Sequence, residues 1–177
     1  MEIKKQVDLP VIGIIKQVYH DHPVFITPTI KEMDALAETG VEIIATDATN
    51  RIRPDGSDLT SFYHEVRGKY PHILLMADVS SVEEAIYADE LGFDIVAPTL
   101  YGYTEETRGL KIDDHDYAVI KQIIEKVKNA KVIAEGNVST PEIARAVLDI
   151  NVHAVVVGGA ITRPQIITQR FVDAIQK

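Results

Sequence analysis

The sequence predicts an α/β protein in which strands and helices alternate to build a parallel β-sheet. Six short apolar runs, each followed by polar or glycine residues, are spread through the 177 residues. Segments with helical spacing separate these runs, and a further one follows the last run. Such alternation indicates a parallel sheet in which right-handed crossovers connect consecutive strands.

The six apolar runs are rich in β-branched residues and are typical of strands covered on both faces. In chain order the predicted strands span residues 10–16, 42–47, 73–78, 94–99, 131–135 and 154–159. Each run ends in polar or glycine residues, which are typical of positions where a strand reaches solvent or enters a turn. The runs therefore define six βα units.

The predicted helices begin at recognisable caps. Thr29 and Glu32 form a capping box, and Gly40 stops the helix that follows. Proline at the first helical position opens the last two helices, after Thr140 and at Pro164. The full set of predicted helices covers residues 29–38, 58–68, 80–92, 114–128, a segment from Pro141 and a segment from Pro164.

Two architectures fit this order, an open doubly wound sheet and a (β/α)₈ TIM barrel. A dinucleotide-binding open sheet would have a glycine-rich turn after its first strand, and residues 17–22 contain no glycine. The barrel is therefore favoured, as a single partial domain over residues 1–177 with six of eight βα units. We expect two units, about 50 residues, to be missing at the N-terminus.

The amino-acid composition and charge argue against several classes of protein. The net charge is −9, and the chain has no cysteine, which excludes disulfide scaffolds, Fe–S clusters and thiolate zinc sites. The acidic balance argues against nucleic-acid binding. No apolar run approaches the roughly 20 residues of a membrane span, and the first ten residues do not resemble a signal peptide. We expect a cytoplasmic enzyme or binding protein with no membrane partner.

Polar residues at the strand ends predict a functional site, because the carboxyl ends of parallel strands meet at one mouth of a barrel. One lysine, three carboxylates and a glycine pair there suit proton transfer. The alternative is that strands simply end in polar residues where they meet water. The strand-end residues are Lys16, Asp47, Asp78, Thr99, Glu135, Gly158 and Gly159.

Lys16 and Glu135 are the candidate acid–base pair. Lys16 follows the apolar residues of the first strand, which predicts that it loses solvation there. Glu135 precedes a glycine at the end of a late strand, where a partner acid would be well placed. The alternatives are a surface lysine and a carboxylate that anchors its loop through backbone N–H groups.

Glycines after the last two strands predict a phosphate site. Gly136 precedes one helix start, and Gly158 and Gly159 precede another. Barrels often bind phosphate with bare backbone N–H groups in these loops. Arg163 adds a guanidinium suited to phosphate or a sugar hydroxyl. Two ordinary turns would explain the same residues.

Three other features of the sequence give weaker indications of function. His20 and His22 flank Asp21 without an evident third ligand, so no metal site is predicted. Residues 113–116, which are three aspartates and His115, fit the negatively charged start of a helix. The long stretch from Tyr101 to Gly109 is either a lid or a connection.

Longer motifs are similar to those of N-acetylmannosamine-6-phosphate 2-epimerases over essentially the whole chain. They are DLPVIGIIK, IIATDATNRIRP, MADVSSVEEA, TLYGYT, VIAEGNVSTPE and VVVGGAITRP, in this order. The resemblance implies a phosphate-binding barrel that interconverts N-acetylmannosamine 6-phosphate and N-acetylglucosamine 6-phosphate in sialic acid breakdown. Family members begin with two further strands, which contribute a glutamine and an arginine to the site and have no counterpart here.

By that resemblance, Lys16 is the base and acid at C2 of the sugar, and Glu135 is its partner. Asp78 binds the sugar, and Arg163 faces it. Asp47 contributes to the substrate site indirectly, through neighbouring residues. The resemblance also implies that the phosphate is held by Gly136, Gly158 and Gly159.

The implied chemistry needs neither a metal nor a redox cofactor. C2 lies next to the C1 aldehyde of the open-chain sugar, so its proton can be removed and returned on the other face. We expect a homodimer, because a seam left by absent strands favours pairing with another chain. The alternatives are another phosphate-barrel isomerase or lyase, and an inactive barrel that binds a phosphosugar or a partner.

Overall fold

A computed structural model of the protein describes residues 2–176 and contains one six-stranded parallel sheet, with the strands in chain order. The order is that of six consecutive βα units, as predicted from the apolar runs. The strands are β1 (Ile12–Gly13), β2 (Ile43–Asp47), β3 (Leu74–Asp78), β4 (Ile95–Ala97), β5 (Lys131–Ala134) and β6 (Ala154–Val155).

A helix follows every strand, in addition to a short 3₁₀ turn at Ile3–Lys5. Within residues 2–176, no helix is both long enough and apolar enough to cross a membrane. The helices are α1 (Ile30–Ala37), α2 (Leu59–Lys69), α3 (Val82–Leu91), α4 (Asp114–Lys126), α5 (Pro141–Asp149), α6 (Gly159–Thr162) and α7 (Pro164–Ile175).

Three helix ends have the capping residues that the sequence predicts. Thr29 and Glu32 form the predicted capping box of α1, and the side chain of Thr140 accepts a hydrogen bond from the backbone of Ile143 at the start of α5. Gly92 ends α3 in the left-handed conformation that glycine adopts without steric cost. At these three helix ends, local chemistry sets the boundary.

Both faces of the sheet are covered, which explains the continuous apolar runs. One face packs against the helices through residues such as Ile44, Leu75 and Val96. Alternate positions point to the other side and form a second, smaller core of Ala45, Met76, Ile95, Ala97 and Ile133. The sheet curls around this inner core, and the register aligns the carboxyl ends of the strands, with Asp47 opposite Asp78.

The first and last strands differ most from the prediction. Strand β1 pairs with β2 only at Ile12 and Gly13, although residues 10–16 were predicted. Beyond it the chain turns back, so that Lys16 forms an antiparallel bridge with Ile26. The amide of Asp47 then donates to the carbonyl of Ile26. The returning segment therefore takes the place beside β2 that the end of β1 was expected to hold.

Candidate active site

A cavity of about 460 Å³ opens at the carboxyl ends of the strands. Six of the predicted site residues line it: Lys16, Glu135, Gly136, Gly158, Gly159 and Arg163. The remaining lining includes Phe25, Ile26, Thr99, Leu100, Tyr103, Asn137, Ser139, Ile166 and Arg170. The topology therefore brings together residues that are almost 150 positions apart in the sequence.

Lys16 lies at the cavity beyond the end of β1. Its side chain is exposed, and Nζ lies 5.9 Å from the centre of the Phe25 ring. The prediction that an apolar strand would strip its solvation is wrong, because the chain leaves the sheet after Gly13 and carries Lys16 out of the core. Burial raises the pKa of the Glu135 and Asp78 carboxyls, and the positive charge of Lys16 partly opposes this rise.

Glu135 follows the last residue of β5 and is half-buried in the cavity wall. Burial raises the pKa of its carboxyl, against the opposing effects of the charge of Lys16 and the hydroxyl of Thr99. A carboxyl with a raised pKa holds its proton more readily and can therefore serve as an acid as well as a base. This environment suits the role of acid–base partner.

Asp78 ends β3 and is 3% exposed. Among residues 2–176 it lies outside the set that lines the cavity. Its Oδ1 accepts a hydrogen bond of 2.6 Å from Oγ1 of Thr99, which does line the cavity. Burial raises the pKa of Asp78 well above the ordinary range, and the charges of Glu135 and Asp47 raise it further.

Asp47 ends β2 and is held away from the cavity. Its carboxylate accepts hydrogen bonds from the backbone and hydroxyl of Thr49, at 3.0 and 2.7 Å, and from Arg51 at 2.7 Å. The segment containing Ile26 lies between β2 and the chain at Lys16. Asp47 thus organises the loop after β2 and reaches the site only through its charge.

The loop after β6 carries the predicted phosphate residues to the cavity. Gly158 precedes the single-turn helix α6, and its carbonyl accepts from the backbone of Ile161 and Thr162. A Cβ on Gly158 would meet nothing within 4 Å, and one on Gly159 would meet only Arg163. Packing therefore does not require glycine at either position, and no side chain obstructs the backbone N–H groups of these two residues.

Gly136 has a different reason for being glycine. Its φ is +93°, and a Cβ there would lie 2.9 Å from the carbonyl oxygen of Pro98 and 3.1 Å from that of Thr99. The chain after β5 is thus pressed against the chain after β4. This close approach sets the position of Glu135 relative to Thr99.

Sequence reasoning assigned no role to several polar residues of the cavity, among them Thr99, Tyr103, Asn137 and Arg170. Thr99 was recognised as a strand-end residue and Tyr103 as part of the long loop, but neither was given a function. Tyr103 donates a hydrogen bond of 3.2 Å to the side chain of Asn137. Arg170, on α7, donates one of 2.8 Å to the carbonyl of Ser139. Only Thr99 carried a signal in the sequence, since the other three depend on how loops and helices pack.

The cavity lining includes the charged side chains of Lys16, Glu135, Arg163 and Arg170. Arg163 precedes α7 and Arg170 lies on it. The lining therefore combines a lysine and a carboxyl with two guanidinium groups that suit an anionic ligand. Within residues 2–176 no group of three or more His, Asp or Glu side chains lies together as a metal site would require.

Comparisons with known proteins agree with this arrangement. A family model described as N-acetylmannosamine-6-phosphate epimerase matches residues 1–177. A Staphylococcus haemolyticus N-acetylmannosamine-6-phosphate 2-epimerase is 53% identical over 177 residues, covering 100% of this chain and 78% of the relative. A Borrelia garinii protein of the same name is 52% identical over 176 residues, covering 99% and 76%.

Solved structures extend the comparison to the fold. The N-acetylmannosamine-6-phosphate 2-epimerase from Clostridium perfringens has 44% sequence identity and a TM-score of 0.88, covering 98% of this chain and 73% of that one. A thiamine phosphate pyrophosphorylase from Pyrococcus furiosus, at 21% identity and a TM-score of 0.54, shares the fold alone. The predicted (β/α)₈ TIM-barrel class, with six βα units in this chain, is confirmed.

Proposed function

This chain belongs to the N-acetylmannosamine-6-phosphate epimerase family, and we propose that it interconverts N-acetylmannosamine 6-phosphate and N-acetylglucosamine 6-phosphate. The observation that carries the proposal is that Lys16, Glu135, the Gly158–Gly159 pair and Arg163 line one cavity. A base, an acid and an anion site are the parts that this reaction needs. In the cell, the reaction would serve the breakdown of sialic acid and other amino sugars.

Lys16 takes the proton from C2 of the open-chain sugar and returns it to the opposite face. The C1 aldehyde stabilises the resulting negative charge as an enolate, so the bond to hydrogen can break without a redox step. Glu135, with its raised pKa, donates a proton to a sugar oxygen or accepts one from it during ring opening. Asp78 supports the sugar site from its buried position, and Asp47 acts through Asp78 by charge.

The phosphate is held by the backbone N–H groups of Gly136, Gly158 and Gly159, with Arg163 facing the substrate. A fixed phosphate keeps the sugar in place while C2 is planar, and its binding energy supports the chemical step. Backbone donors at glycines approach phosphate oxygens without steric obstruction.

A solvent-exchange experiment tests this function. The protein is incubated with N-acetylmannosamine 6-phosphate in D₂O and followed by ¹H NMR. We expect N-acetylglucosamine 6-phosphate to form and both sugars to lose the C2 proton signal. Interconversion without deuterium uptake would contradict proton transfer through a solvent-exchangeable base, and absence of interconversion would contradict the epimerase function.

We also propose that the protein acts as a homodimer in the cytoplasm. Apolar side chains at the open β1 edge of the sheet are exposed, among them Ile12 at 36% and Ile14 at 44%. Exposed apolar patches of this kind are typical of interaction surfaces. The charge of a phosphosugar keeps it from crossing a membrane, which supports a cytoplasmic site of action.

A further inference from the structure

Thr99 stands between the two carboxyls of the site. Its Oγ1 donates a hydrogen bond of 2.6 Å to Oδ1 of Asp78, which is buried. Thr99 itself is half-buried and lines the cavity together with Glu135. The hydroxyl group of Thr99 therefore lies between a carboxyl in the core and the cavity at which the second carboxyl stands.

The backbone enforces this juxtaposition. Asp78 is paired with Ala97 in the register of β3 and β4, which places Thr99 just beyond the level of Asp78. Gly136 then passes so close to the carbonyls of Pro98 and Thr99 that any Cβ would collide with them. The residue before it, Glu135, is thereby held next to Thr99.

A threonine hydroxyl has one hydrogen to donate and lone pairs that accept. Because burial and the charges of Glu135 and Asp47 favour the neutral carboxyl, Asp78 can donate its proton to Thr99, against the opposing charge of Lys16. The hydrogen of Thr99 is then free to be donated to Glu135. The separation of 2.6 Å suits an O–H···O bond in either direction.

We propose that Thr99 is a positioning residue that links Asp78 and Glu135 into a unit sharing one proton. The O–H bond of Asp78 breaks as a new one forms on Thr99. The original O–H bond of Thr99 breaks as one forms on Glu135. One proton thus moves from Asp78 to Glu135, and one negative charge moves the other way. This inference rests on the proposed function and adds a buried proton store to it.

Matched variants test the link in the full chain. Thr99→Val keeps the shape and removes the hydroxyl, whereas Thr99→Ser keeps the hydroxyl. We expect Thr99→Val to lower kcat by about 10- to 100-fold with KM within about twofold. We expect Thr99→Ser to keep kcat within about threefold of the wild type. Equal kcat for Thr99→Val and the wild type would overturn the proposal.

The pH profile separates a proton link from a packing effect. Without the hydroxyl, the ionised carboxylates lose a donor and their pKa values rise, so the acidic limb of the kcat profile should move to higher pH in Thr99→Val. An unchanged limb with a lowered kcat would show a packing role only and would refute the link.

A titration without substrate keeps the inference independent of the epimerase activity. Carboxyl ¹³C NMR of the wild type should show Asp78 and Glu135 titrating as a coupled pair, and Thr99→Val should reduce the coupling to what the direct charge interaction of the two carboxyls produces. Independent titration in the wild type would overturn the proposal even for an active enzyme. A wild type that shows coupled titration but no interconversion would refute the epimerase function and leave the link standing. If Thr99→Val fails to fold, Asp78→Asn replaces it, and loss of the biphasic Glu135 titration is expected.

Discussion

The proposed proton transfer at C2 depends on a single residue, Lys16. It is the lysine among the cavity-lining residues, and no neighbouring lysine in that set could replace it as a base. We expect Lys16→Ala to slow C2-proton exchange by at least about 100-fold, the usual worth of a general base. Deuterium uptake measured by ¹H NMR checks this.

Lys121→Ala is the matched control, since Lys121 lies on α4 in an exposed ion pair with Asp116. It should exchange the C2 proton at the wild-type rate. Exchange by Lys16→Ala at that same rate would remove Lys16 from the mechanism.

Asp78 predicts a pH dependence of stability. Its folded pKa is raised, so the folded state holds the proton more tightly than the unfolded state. Stability from this group is therefore greatest below the ordinary carboxyl pKa and is lost as pH rises through the raised pKa. Asp78→Asn keeps an acceptor for Thr99 and carries no charge, so it should raise the Tm at pH 8, by about 2–4 °C for each kcal/mol recovered.

Thermal melts of both proteins between pH 4 and pH 8 check this prediction. The difference in Tm should shrink towards pH 4, because near the ordinary pKa of 3.8 the unfolded chain begins to bind the proton that the folded chain already holds. A wild type that is the more stable protein at pH 8 would contradict a cost of ionising the buried carboxyl.

At the scale of elements, contact between the chain segments after β4 and β5 depends on Gly136. Gly136→Ala forces a Cβ into the carbonyls of Pro98 and Thr99 at a positive φ. We expect it to cost about 1–3 kcal/mol of unfolding free energy, the usual price of such a strained position. Urea denaturation followed by circular dichroism measures the loss.

Gly68→Ala serves as the control for this substitution. Gly68 lies inside α2, and a Cβ there meets nothing within 4 Å. Alanine should stabilise the helix by about 0.5–1 kcal/mol. Equal effects of the two substitutions would show that the contact of Gly136 is unimportant.

The loop between β6 and α7 predicts a dependence on phosphate. Gly159→Val adds a side chain beside the proposed N–H donors, where packing alone would tolerate it. We expect the affinity for N-acetylmannosamine 6-phosphate to fall by about 2–4 kcal/mol, the worth of one or two charge-assisted hydrogen bonds. Isothermal titration calorimetry measures the affinity, and an unchanged Tm shows that folding is intact.

N-acetylmannosamine without the phosphate completes the test. It should bind weakly to the wild type and equally weakly to Gly159→Val. Equally tight binding of the two sugars to the wild type would exclude a phosphate site at this loop.

For the whole molecule, the outer strands β1 and β6 have no further partner in the sheet formed by residues 2–176. Ile12 and Ile14, at and just beyond β1, are 36% and 44% exposed. Unpaired edges flanked by apolar side chains favour pairing with another chain. We expect self-association, and Ile14→Lys should weaken it by at least about tenfold in dissociation constant, because a buried unpaired charge is costly.

Light scattering over a range of concentrations measures the association. Ile52→Lys is the control, since Ile52 is 55% exposed and lies in the loop after β2, away from the edge. Wild-type protein that stays monomeric throughout would contradict the dimer.

The sequence by itself determined the order of six βα units, several of their caps and six of the residues that line the cavity. Apolar runs and capping residues are local signals, and parallel pairing then forces all strand ends to one side. Hence Lys16, Glu135, Gly158, Gly159 and Arg163 could be grouped without coordinates.

Only the tertiary structure decided which strand-end residues face the cavity. The segment around Ile26 separates Asp47 from Lys16, and Asp78 is enclosed so that Thr99 stands at the cavity instead. Likewise, Tyr103 and Arg170 reach the site from a loop and a helix. Such placements depend on contacts between segments distant in sequence, and neither hydrophobic periodicity nor capping chemistry contains information about those contacts.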